Sequence, residues 1–112
     1  MSVLENAKAH FKQQMSNGLL YVEVPEWDTR VYFKPQANFQ QQYRVLKLHS
    51  EGKLAEALIE TLLIRALTED GKQMFGFGDR DVLMREVDPE VILRVVTAIN
   101  EKQREGELLV GN

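Results

Sequence analysis

The chain contains no cysteine in its 112 residues. That absence excludes a disulfide framework, a thiolate nucleophile and any cysteine-based zinc site. Histidine is nearly as scarce. His10 and His49 are the only two, and neither lies in HExxH or another spacing that aims several ligands at one metal. Gly76-Phe77-Gly78 belongs to no GxxxxGK[ST] or GxGxxG pattern, so a phosphate-cradling loop is not indicated. Long apolar runs are missing too: nothing approaches the roughly eighteen residues of a membrane span. The opening MSVLENAKAHFK breaks its apolar positions with Glu5, Asn6, Lys8 and His10 before a signal-peptide core can form. An intracellular protein without a membrane partner is the expectation. Positive charge is also in short supply, with 14 basic residues against 17 acidic, which argues against broad affinity for nucleic-acid backbones.

What is present suits one compact domain. Hydrophobic residues make up 44% and charged residues 28%, which excludes disordered, collagen-like and coiled-coil extremes. For this mass a compact fold exposes about 6,300 Å² of the roughly 18,700 Å² of an extended chain, an expected burial of about two thirds.

Patterning along the chain predicts an α+β fold, predominantly α-helical, with an N-terminal two-stranded hairpin followed by a bundle of about four helices. Residues 2–15 read as a helix that Ser2 and Glu5 cap, with Val3, Leu4, Ala7, Phe11 and Met15 at the helical period and Asn17-Gly18 as its stop. The same segment could instead be an arm that orders only against a partner. Leu20, Val22 and Val24 then alternate with polar neighbours, and Arg30–Lys34 follows after a five-residue connection. Such a hairpin needs helices on its apolar face or another strand on an edge.

From Asn38, a cap, a helix is predicted with Phe39, Tyr43 and Leu46 as its apolar residues, ending at Glu51-Gly52. The strongest helical pattern is Leu54, Ala55, Leu58, Ile59, Leu62, Leu63, Ala66 and Leu67, with Glu56, Glu60, Arg65 and Glu69 on the solvent side. Asp70-Gly71 is a turn, and Met74, Phe75 and Phe77 should tie the following loop to the core. Asp79 should cap a short helix that buries Val82 and Leu83. Asp88-Pro89-Glu90 opens a last helix whose inward stripe is Val91, Ile92, Val95, Val96 and Ile99. The expected organisation is an N-terminal helix or arm over 1–18, one α+β domain over 19–100, and a flexible tail over 101–112, in which Leu108, Leu109 and Val110 could dock on a partner.

Catalysis finds little support. Serines 2, 16 and 50 sit in no nucleophile elbow. Asp79 and Asp81, like Glu86, Asp88 and Glu90, occupy helix-capping positions, whereas paired carboxylates do chemistry when their environments separate their pKa values inside a cleft. No enzyme, cofactor or metal is expected. The aromatic residues fit protein recognition better, since aromatic area with a charged rim is the usual anatomy of a hot spot. Tyr21, Trp27, Tyr32, Phe33, Phe75 and Phe77 are the candidate partner-binding residues. Trp27 could equally fold back on the core.

The order of elements resembles the tail assembly chaperones of long-tailed bacteriophages. A strand pair ending VYFKP precedes the leucine helix LAEALIETLLIRAL and then TEDGKQMFGFGDRDVLMREVDPEVILRVVTAIN. The acidic-glycine turn, aromatic, Asp-led short helix and final helix of that family fall on Glu69, Asp70, Gly71, Phe75, Asp79, Asp81, Val82, Leu83, Ile99 and Asn100, a likeness covering about residues 20–100. The resemblance implies a late, non-catalytic protein of virion morphogenesis in the host cell cytoplasm. Its partners would be the tape measure protein and the tail tube protein, alongside self-association, and it would be absent from the mature particle. Two other readings are a small virion connector or tail completion protein that uses the hairpin edge between subunits, and a DNA-associated phage regulator.

Overall fold

A computed structural model describes residues 2–15 and 18–110, the side chains of 104–110 excepted. The elements run α1 (Val3–Met15), β1 (Leu20–Val24), β2 (Thr29–Phe33), α2 (Phe39–Ser50), α3 (Leu54–Arg65), α4 (Arg80–Arg85) and α5 (Pro89–Val110). An antiparallel hairpin followed by helices is thus the observed architecture.

The strands pair with Val22 opposite Val31 and Tyr21 opposite Tyr32. Alternation then puts Val22, Val24, Val31 and Phe33 on one buried face and the two tyrosines, Glu23 and Arg30 on the other. A single 3₁₀ turn, Pro25–Trp27, reverses the chain and ends at Asp28, whose φ of 49° is left-handed, a conformation aspartate tolerates. The buried face packs on α3 and α5 through Ile59, Leu62, Leu63, Val91, Ile92, Val95, Val96 and Ile99. Asp88 caps α5 by accepting from the Glu90 amide at 3.0 Å, as its position before Pro89 predicts. Asn38 and Gln41 form a reciprocal capping box at the start of α2, with bonds of 2.9 and 3.1 Å.

Four local readings need correction. Helix α3 stops at Arg65, because Leu67 leaves it to exchange backbone hydrogen bonds with Tyr32 at 2.7 and 3.0 Å. Leu67 also bridges to Gln73, so a bridging segment occupies the β2 edge at Tyr32. Glu60 and Arg65, expected in solvent, are buried, while Leu54 and Ala55 are exposed: the buried arc of α3 is rotated toward α2 and α4. Asp79 caps backwards, accepting from the Gly76 amide at 2.8 Å instead of from α4, and Val82 is exposed. Finally, α5 continues ten residues beyond Asn100, although its apolar period fades there. Asn17 and the side chains of Leu108, Leu109 and Val110 lie outside the described residues.

Helix α1 buries none of its residues, although the Glu5 amide donates to Ser2 Oγ at 3.1 Å. Total exposed area is 7953 Å². That is about 1,600 Å² more than a compact chain of this mass shows, so burial falls short of two thirds.

Candidate protein-binding surface

Most of the sequence-predicted aromatic residues do not converge. Tyr21 and Tyr32 form one pair on the outer face of the hairpin, centroids 5.7 Å apart. Arg30 lies 4.7 Å from the Tyr21 ring and Lys102 5.3 Å, an arrangement of stacked cations around an aromatic face. The Lys102 ammonium also donates to the Tyr21 carbonyl, tying α5 to β1. Trp27 folds back on the core and meets Phe75 edge-on at 6.1 Å. Phe33 is 0% exposed and cannot touch a partner in this conformation: its place in β2 points it inward with Val31, beneath the Arg65 guanidinium at 5.7 Å. Phe77 does not anchor its loop. It is 68% exposed, with the Arg80 guanidinium 5.6 Å from its ring.

The largest aromatic exposure lies elsewhere. Helix α2 has no buried residue, and Phe39, Tyr43 and Leu46 are 78%, 56% and 59% exposed. These residues recur at i, i+4 and i+7, so they form one stripe, with the Phe39 and Tyr43 rings stacked at 6.5 Å. Val3 and Leu4 on α1 are exposed as well. Periodicity located the α2 stripe without saying which way it faces. The signal available in the sequence was the poverty of α2, in which five glutamine, lysine and histidine positions surround few aliphatic residues, whereas α3 is aliphatic on most sides.

Polar groups hold this surface in place. Buried Glu60 on α3 meets Arg80 on α4 at 2.8 Å and Arg44 on α2 at 3.6 Å, clamping three helices together. Buried Arg65 donates to the Gln103 side chain at 2.7 Å and to the Lys34 carbonyl at 2.8 Å. Burial pulls its pKa down to about 10. At the hairpin tip, Arg94 grips Glu26 with bonds of 2.5 and 2.7 Å, and that hydrogen bonding holds the glutamate below its usual range.

An open groove of about 420 Å³ runs along α3 between α2 and α5. Its apolar lining includes Val45, Leu46, Leu58, Ile64 and Val96. Among the described residues no cluster of histidine, aspartate or glutamate could hold a metal ion, and no helix is long and apolar enough to cross a membrane. The arrangement offers apolar contact area framed by fixed charges.

A solved structure supplies the fold comparison. Described as the structure of bacteriophage HK97 tail assembly chaperone, it superposes with a TM-score of 0.61 over 88% of this chain and 94% of that one, at 16% sequence identity. The chain has the fold of a phage tail assembly chaperone. No family model and no curated protein sequence matches it. The chaperone fold therefore agrees with the element order read from VYFKP to the final helix.

Proposed function

We propose that the chain is a phage tail assembly chaperone that binds the tape measure protein, keeps its apolar helices in solution and assists assembly of the tail tube around it. The observation that carries this reading is a folded core, shared with the HK97 chaperone, that leaves the Phe39, Tyr43 and Leu46 stripe of α2 uncovered. A monomer that needed those side chains for its own stability would bury them. Tyr21 and Tyr32 contribute a second, cation-framed set of contacts, Phe77 beside Arg80 a separate one, and the acidic net charge of −3 favours solubility of the complex. In this reading the protein acts in the host cytoplasm, has no catalytic step and leaves before the particle matures. The connector reading is weaker, because Leu67 already occupies the β2 edge at Tyr32.

Co-expression with the tape measure protein from the same genome tests the proposal. The expected result is a higher soluble fraction of tape measure protein and a complex that co-purifies. Unchanged solubility and separate elution would remove the basis of the reading, and finding the chain in purified mature particles would favour the connector.

A further inference from the structure

The groove between α2 and α5 has a chemical character that the exposed stripe alone does not. Its walls and floor are apolar at Leu46, Leu58, Ile64 and Val96, and Arg65 lines it from α3. Among the described residues lining it there is no aspartate or glutamate. Among the described residues Arg65 donates to neutral oxygens, those of Gln103 and Lys34, and no carboxylate lies within ion-pairing distance of it. The α2 wall adds His49, and α2 carries no acidic residue over its whole length. Arg65 and His49 are therefore the basic side chains among the described lining residues. A buried cation costs desolvation that an incoming carboxylate can offset.

Resting on the client-binding reading above, we propose that this groove receives an amphipathic α-helix of the client protein, one whose apolar stripe is flanked by carboxylates that reach Arg65 and His49. Apolar side chains at i, i+3, i+4 and i+7 of the guest fill the space between Leu46 and Val96, the helix-in-groove mode of recognition. The guest's glutamates supply selectivity, because a lysine in their place would meet a desolvated guanidinium. The depressed Arg65 pKa is the mark of a guanidinium held largely out of water by burial.

Two synthetic 18-residue peptides test this with the full chain. Both carry leucine at helical spacing; one is flanked by glutamate, the other by lysine at the same positions. Fluorescence anisotropy of the labelled peptides should show the acidic one binding at least tenfold more tightly, a preference that shrinks as salt rises. Leu46→Glu, at an exposed position, should weaken acidic-peptide binding tenfold or more. Arg65→Met should erase the preference while retaining apolar binding. Where Arg65→Met fails to fold, Thr97→Glu on the exposed α5 rim serves instead, lowering affinity for the acidic peptide and raising it for the basic one. Equal affinity of the two peptides, or binding indifferent to Leu46→Glu, would overturn the proposal. So would a concentration-dependent dimer abolished by Leu46→Glu with neither peptide bound, which would assign the groove to a second copy of the chain. A tape measure complex that forms while neither peptide binds would reject the groove and leave the chaperone reading intact.

Discussion

Helices α2 and α3 are neighbours in sequence, each 12 residues long and joined by a turn at Gly52, yet they play opposite parts. Helix α3 buries residues around most of its circumference, including Glu60, Thr61 and Arg65, and α2 buries none. One helix holds the fold together, and the other is held by it. The difference teaches that apolar spacing marks a face without saying which way the face looks. In α3 the stripe meets the hairpin and α5; in α2 the stripe Phe39, Tyr43 and Leu46 turns to solvent because α3 is already covered on its far side.

Substitutions should break this symmetry of length and spacing in order of size. Leu62→Ala, at a fully buried position among the β-strand valines and α5, should destabilise the fold by about 2–5 kcal/mol, measured by urea denaturation. Asn38→Ala removes the oxygen that accepts from the Gln41 amide and should cost about 1 kcal/mol in the same measurement. Arg65→Met should stay within about 1 kcal/mol of the parent, since it relieves a desolvated charge without stranding an opposite one. Phe39→Ser should shift stability by no more than about 0.5 kcal/mol, as expected for a largely exposed side chain stacked on Tyr43. A loss comparable to that of Leu62→Ala would erase the contrast between the two helices.

The smallest effect concerns pH. The Arg94 hydrogen bonds lower the folded-state pKa of Glu26, so the folded protein binds fewer protons there than the unfolded chain. Stability from this pair is therefore present above the ordinary glutamate range and is lost as pH falls through it toward the depressed folded value. Glu26→Gln should flatten that part of the acid denaturation profile while leaving neutral pH almost unchanged.

Much of the fold was legible in the residues. Alternation at Leu20–Val24, the Asn38 cap, the aliphatic run of α3 and Asp88-Pro89 at α5 each have a local physical cause, and each element stands where that cause predicts it. The end of α3 was not legible, because Ala66 and Leu67 are apolar whether they extend a helix or line a sheet. Their fate was decided by a long-range backbone exchange with Tyr32. The candidate surface was only half legible for the same reason. Tyr21 and Tyr32 were readable from strand alternation; the inward turn of Phe33 follows from that alternation too, since it shares a face with Val31. The outward stance of Phe39 and Tyr43 depends on how much of α3 is left to cover, a tertiary quantity that no local window contains. Arg65 was hidden for a related reason, its place on a solvent arc being true of the isolated helix alone.

The most direct test of α2 as the working surface is capture of the tape measure protein by a variant carrying Phe39→Ser, Tyr43→Ser and Leu46→Ser together, with its thermal midpoint measured alongside. The account predicts a midpoint within a few degrees of the parent and at least a tenfold loss of co-purified client. Full client capture by a variant that remains folded would contradict it.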